Sequence, residues 1–258
     1  MDFGISGRTA IVCASSKGLG KGCARALAEA GCRVVINGRN PQTLETTRAE
    51  LAHNGGEIIA VAADIGTEQG RAAILKAAGT VDILVNNNAG PPFRDFRQVD
   101  HAAMLAGIEA NMLTPIELVK AVIDGMTERG FGRIVNITSS SVKAPILGLD
   151  LSSGARAGLT AFLAGIARSV AHRNVTINNI MPGSFDTDRL RGSIERGAKQ
   201  RGVDVAVAAE AQAKAIPAQR FGTTEEFGAL CAFLCSAQAG YITGQSILID
   251  GGLVNTNF

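Results

Sequence analysis

The chain has no tryptophan, one tyrosine (Tyr241) and three histidines in 258 residues. The histidines are scattered at His53, His101 and His172, so nothing gathers the nitrogen and sulfur ligands a zinc centre needs, and no metal site is expected. The five cysteines, Cys13, Cys23, Cys32, Cys231 and Cys235, include no Cys-x-x-Cys pair. That pattern fits buried free thiols in a reducing cytoplasm rather than a disulfide framework. The formal net charge is +2, with no basic run. Clustered Lys and Arg with interleaved aromatics, the footprint of a nucleic-acid binder, are missing. No apolar run reaches the ~18 residues of a membrane span. The opening Met1-Asp2-Phe3-Gly4 lacks the basic then apolar order of a signal peptide. The expectation is a cytoplasmic protein with neither nucleic-acid nor membrane partners.

What the chain does have is alternation. Short, β-rich apolar runs are expected as strands at 9–13, 33–36, 57–62, 81–85, 133–138, 175–180 and 246–249. Helical patterns fall between them at 18–30, 41–53, 68–78, 99–110, 114–129, 153–172, 190–215 and 225–235. Gly31 stops the first helix, Pro41 starts the second and Asn54-Gly55-Gly56 closes it. Strands alternating with helices of ten or more residues imply parallel βαβ units, and continuous apolar strands imply a sheet covered on both faces. With 31 glycines for tight turns, no linker and no repeat, the reading is α/β: a single Rossmann-like, doubly wound domain spanning 1–258. Residues 188–216 stand out as a polar flap.

The first strand runs into Ala14-Ser15-Ser16-Lys17-Gly18-Leu19-Gly20 and then a helix. Glycines at this junction let backbone approach a pyrophosphate, and the helix start presents free N–H groups to it. A dinucleotide that is bound as NAD is usually held by an acid at the end of the second strand. Here that segment is Asn37-Gly38-Arg39-Asn40. Arg39 and Lys17 suit a 2′-phosphate, so NADP(H) is favoured over NAD(H). Asp64 and Ile65, after the third strand, fit an adenine contact; the alternative for Asp64 is capping the helix that follows.

In order along the chain, several segments resemble the short-chain dehydrogenase/reductase family, and its ketoacyl-reductase-like branch in particular. Ala14-x-x-x-Gly18-x-Gly20 resembles its glycine motif, with Ala in place of the first Gly. Asn86-Asn87-Asn88-Ala89-Gly90 resembles its Asn-Asn-Ala-Gly segment with one extra Asn, which leaves the register open; an ungapped count puts Asn87 in the cofactor set. Asn111, Ser139, the loop Pro182-Gly183-x-Phe185-x-Thr187 and the run Tyr241-Ile242-Thr243-Gly244-Gln245 also fit. The resemblance implies a Rossmann sheet of about seven strands, a small carbonyl or alcohol substrate, and a dimer or tetramer joined through the helices at 114–129 and 153–172. It implies that the nicotinamide is closed over by Pro182, Gly183, Phe185 and Thr187, and that Asn111 and Ser139 are catalytic.

One departure is chemical. Thirteen residues beyond Ser139, where the family carries Tyr-x-x-x-Lys, stand Ser152 and Arg156. A hydroxyl is a far weaker acid than a phenol, and Arg holds its proton above pH ~12. Arg156 still suits the cofactor ribose and a developing oxyanion. Losing a positioned acid costs ~10²–10⁴ in rate. The favoured expectation is an NADP(H)-dependent oxidoreductase with a reworked acid: Ser139 and Ser152 orient the carbonyl and Arg156 stabilises charge. A non-redox enzyme on this scaffold, by elimination or isomerisation, and a silent nucleotide-binding subunit stay open at this point. Ser140, Ser141, Lys143 and Asp150 are candidate relays. Arg94 and Arg97 hint at an anionic substrate.

Overall fold

The computed structural model describes residues 2–53 and 55–255. Seven strands, β1 (Thr9–Val12), β2 (Arg33–Gly38), β3 (Ile58–Ala62), β4 (Ile83–Asn86), β5 (Gly132–Ile137), β6 (Val175–Pro182) and β7 (Ser246–Ile249), form one sheet. Their order is β3-β2-β1-β4-β5-β6-β7, and every pairing is parallel. The order reverses at β1 and β4. In such sheets the crevice beyond the carboxyl ends at that switch point is the place for a ligand.

Alternation along the strands divides the core. Ala10 and Val12 point to one face, where they meet α1 (Gly18–Glu29), α2 (Pro41–Leu51) and α9 (Thr224–Cys235). Ile11 and Cys13 point to the other, against α3 (Glu68–Ala78), α5 (Thr114–Arg129) and α6 (Asp150–Val170). Close packing of α1 on α9 depends on glycine: a Cβ on Gly22 would stand 2.2 Å from the Thr224 carbonyl oxygen. All five cysteines are buried free thiols.

Helix α4 (His101–Ile108) continues through a π-helical turn, Glu109–Leu113, into α5. This stretch, His101–Arg129, is long and apolar enough to cross a membrane by length and composition, which separate runs in the sequence did not suggest. Core packing accounts for part of its apolarity, through Ile116, Leu118, Val119, Val122 and Met126, while Met104, Leu105 and Leu113 are exposed. The 190–215 pattern resolves into α7 (Asp188–Arg201) and α8 (Val205–Lys214). Gly202, at φ +66°, ends α7 in a left-handed turn that breaks the expected single helix. The pair has its own small core of Ile194, Ala198 and Ala208. Asn54, expected in the turn after α2, lies outside the described residues.

Side chains also cross the sheet. Asn86 Nδ2 donates to Asn136 Oδ1 (2.9 Å), Asn136 Nδ2 to Asn179 Oδ1 (3.0 Å) and Asn179 Nδ2 to Ser246 Oγ (3.1 Å). The four residues are direct neighbours in β4, β5, β6 and β7.

Candidate active site

The carboxyl ends of the strands bring most of the expected residues together. At the end of β1, the chain turns sharply: Ala14 has φ +44° and Gly18 φ +56°. Gly18 and Ala14 sit where left-handed backbone is needed, and only Gly18 takes it without strain. A Cβ on Gly20 would meet the Ala14 carbonyl oxygen at 2.5 Å and Asn87 Nδ2 at 2.9 Å. Asn87 Nδ2 donates to that same carbonyl (3.1 Å), tying the loop to the end of β4. Helix α1 starts here without a side-chain cap, whereas α2, α3, α4, α7, α8 and α9 are each capped by a side chain. Its first N–H groups are therefore open to an anion, so the loop fits a dinucleotide pyrophosphate.

The other nucleotide candidates separate by what their side chains already do. Ser15 Oγ donates to Val12 O and accepts from Asn37 N, fully buried. Ser16 and Leu19 are partly buried, and Leu19 packs on the core. Ile65 is part of the core, so its backbone alone is left for a nucleotide. Asp64 Oδ1 accepts from Gly66 N (2.9 Å), a local turn, while Thr67 caps α3; the capping alternative for Asp64 is thereby replaced. Arg39 is exposed just past β2 and makes no hydrogen bond among the described residues. Lys17 instead reaches across the cleft to Asp188 Oδ2 at 3.5 Å. Both groups of that pair are well exposed, so it is weak and readily exchanged for another anion.

Beyond β6, Gly183 lies so close to Asp250 that a Cβ would meet it at 2.6 Å. Pro182 closes β6. Phe185 turns into the core, edge-on to Phe227 with centroids 5.3 Å apart, and anchors the loop rather than covering a ligand. Thr187 caps α7 and lies over Gly18, 3.5 Å from a Cβ there. The loop thus arches over the glycine turn.

A cavity of about 240 Å³ opens beside these loops, lined by Gly90, Pro91, Arg94, Asn111 and Ser152 among others. Ser152 falls in the first turn of α6, which begins three residues earlier than its sequence pattern predicts. Arg156, one turn on, lies on the same face. Its Nε donates to Ser152 Oγ (3.2 Å), and its Nη1 to the carbonyls of Ile137 (2.6 Å) and Thr138 (3.1 Å) at the end of β5. Burial, reinforced by the nearby Arg189 charge, pushes the Arg156 guanidinium down to about 10. Ser139, just past β5, accepts from Ser141 N (3.1 Å) and Ser141 Oγ (2.9 Å). Ser153 Oγ donates in turn to Ser141 Oγ (2.9 Å). Asn111 sits in the π-helical turn, a device common at functional sites. Its Nδ2 donates to Gly107 O, and its buried Oδ1 has no partner among the described residues.

A family model described as enoyl-(acyl carrier protein) reductase matches residues 13–254. The chain is 34% identical to the NADPH-dependent reductase BacG of Bacillus subtilis over 96% of its own length and 98% of that protein's. It is 31% identical to the 3-oxoacyl-[acyl-carrier-protein] reductase FabG of Vibrio cholerae, with coverages of 96% and 98%. A solved L-sorbose reductase from Gluconobacter frateurii, complexed with NADPH and L-sorbose, superposes with a TM-score of 0.93 at 28% identity, covering 99% of this chain and 100% of that one. The chain belongs to the short-chain dehydrogenase/reductase family.

As a short-chain dehydrogenase/reductase it is an oxidoreductase whose family acts on small molecules. Its only phenol, Tyr241, is fully exposed. It precedes the amino end of β7, on the sheet edge opposite the cavity. Of the relay candidates, Ser141 contacts Ser139, Ser140 is buried, and Lys143 and Asp150 are exposed. Motif spacing does not single out Ser153 or Arg189. The first is marked only by a hydrogen bond to a residue twelve positions away, the second only by where α7 packs.

Proposed function

We propose that this enzyme reduces a carbonyl group on a small molecule with NADP(H), using Ser139, Ser152 and Arg156. The carrying observation is the 3.2 Å bond from Arg156 Nε to Ser152 Oγ. That hydroxyl accepts from the guanidinium and keeps its own proton to donate into the cavity. Ser139, accepting twice from Ser141, likewise has its proton to give. In this reading both hydroxyls serve the carbonyl oxygen, Ser152 from the cavity lining and Ser139 from the end of β5, as electrostatic stabilisation of a developing oxyanion requires.

When bound, NADPH supplies the hydride to the carbonyl carbon. The protein's part is the proton: Ser152 Oγ–H passes it to the new alkoxide oxygen, and Arg156 Nε–H restores it to Ser152. Burial, and then the Arg189 charge, loosens the hold of Arg156 on its proton, which favours that relay. Solvent reprotonates Arg156, and Asn111 holds the neighbouring backbone.

In this reading residues 14–20 hold the pyrophosphate, Arg39 and Lys17 the 2′-phosphate, and Asp64 with the Ile65 backbone the adenine. Asn87 and the loop from Pro182 to Thr187 frame the nicotinamide side, and α7–α8 act as the flap. Half-exposed Phe162 on α6 and exposed Leu113 before α5 support a dimer or tetramer joined through these helices. Buried free thiols support a cytoplasmic setting. The test is consumption of NADPH against NADH, followed by absorbance over a panel of aldehydes and ketones. NADPH-selective turnover is expected; no turnover across the panel despite NADPH binding would reject the reading in favour of a non-redox or silent protein.

A further inference from the structure

Two guanidiniums meet at Gly90, one of the residues that line the cavity. A methyl group placed on Gly90 would lie 3.0 Å from both Nη1 and Nη2 of Arg189, and 3.4 Å from Nη2 of Arg156. Gly90 and the next residue, Pro91, line the cavity. Arg189 Nη2 touches the Pro91 carbonyl at 3.4 Å, its one hydrogen bond among the described residues. Neither Arg156 nor Arg189 forms an ion pair among the described residues. The acids at the start of α7 are taken: Asp186 by Arg191, and Asp188 by Lys17 and Arg191. Arg94 is the cation in the lining itself.

The arrangement is electrostatically incomplete. Arg133, buried elsewhere in the fold, shows what a finished carbonyl-bound guanidinium looks like: Nε, Nη1 and Nη2 all donate to oxygens from Gly132, Asn174 and Ser236. Arg156 uses Nε and Nη1 in that way and leaves Nη2 directed toward Gly90. Burial, and then repulsion from Arg189, depresses the Arg156 guanidinium; burial, and then repulsion from Arg196, depresses that of Arg189. Two like charges held together without a counterion are stabilised when an anion enters between them. Gly90 matters because any side chain would fill that gap.

We propose that Arg156 and Arg189, converging over Gly90, bind the carboxylate of the substrate, making this a reductase of carbonyl compounds that carry an acid group. The proposal rests on the carbonyl-reductase reading and narrows its substrate class. Arg189 is a specificity residue, and its fork suits a planar carboxylate.

The probes are oxo acids of graded chain length and their methyl esters. Two readouts are taken: turnover with NADPH, and calorimetric binding to the NADP+ complex. An acid should exceed its ester in kcat/KM by roughly 10–100-fold, the range of one charged hydrogen-bonded contact. Arg189→Gln should erase that margin through KM, Arg189→Lys should restore part of it, and NADPH affinity should stay as in the wild type. Acid binding that needs Arg189, without turnover of any carbonyl, upholds the anion site and rejects the reductase reading. Turnover of acids and esters alike overturns the anion site and leaves the reductase reading standing. A loss of NADPH affinity in Arg189→Gln with an unchanged acid-to-ester ratio also overturns it, assigning the pair to the cofactor's phosphates.

Discussion

Arg156 Nε lies 3.2 Å from Ser152 Oγ, one helical turn apart in α6, and the same guanidinium is pinned to two carbonyls of β5. The pinning fixes the direction of the Nε–H, so Ser152 is held as a donor toward the cavity. Ser152→Ala should therefore lower kcat by roughly 10²–10⁴, the usual worth of a positioned acid, with NADPH affinity unchanged. In the wild type, activity should fall above about pH 10, where Arg156 loses its proton. Steady-state kinetics over pH check both; wild-type turnover in Ser152→Ala would remove the hydroxyl from the chemistry.

Arg39 stands alone past β2, while Lys17 is engaged with Asp188. Arg39→Asp should cost NADPH roughly 10–100-fold in affinity, the scale of one charged hydrogen-bonded contact. It should improve NADH binding by offering the ribose an acceptor. Fluorescence titration with both nucleotides reads the exchange. Equal losses for the two would place Arg39 away from the 2′ position.

Ala14 holds a left-handed backbone at φ +44°. Glycine at this position removes the steric cost of the Cβ, which outweighs the extra freedom of the unfolded chain. Ala14→Gly should raise stability by about 1 kcal/mol, measured by urea denaturation. A loss of stability would show that the turn carries no strain.

Glu226, at the start of α9, accepts from Arg220 and from Thr223 N, and this holds its carboxyl down at about 2. The folded value lies below the unfolded ~4.3, so the contribution is present above the unfolded value and fades as pH falls toward 2. The group is exposed, so its worth is within about 1 kcal/mol. Glu226→Gln keeps the capping geometry and drops the charge. Its stability should fall below the wild type's at pH 7, and the two should converge near pH 2. A constant gap across that range would show that the effect does not come from the carboxylate charge.

Much of the scaffold is legible in the chain because strands here are short apolar runs and helices are long periodic ones. The pairing of Ser152 with Arg156 is also legible, since a spacing of four puts both on one face of α6. Ile65 and Phe185 show the limit. Each lies in a motif that nominates a cofactor contact, yet packing turns each side chain into the core. Lys17, Ser153 and Arg189 show the other side of it. Their partners lie on segments remote in sequence, so only the folded crevice reveals which charge is spent and which is free. The π-helical turn around Asn111 had no local signal; it emerges where α4 and α5 are joined without a break.

The amides of Asn86, Asn136 and Asn179 and the hydroxyl of Ser246 have a consequence for assembly of the sheet during folding. Parallel strands cannot be set by hairpin turns and must find one another across long crossovers, slowly and with ample chance of slipping. A slip of one residue between β5 and β6 would turn the amides into opposite apolar layers and strand them there. Each orphaned buried group costs about 1–3 kcal/mol. Misaligned intermediates are thus penalised strand by strand, and aliphatic contacts, which tolerate sliding, need not carry that discrimination.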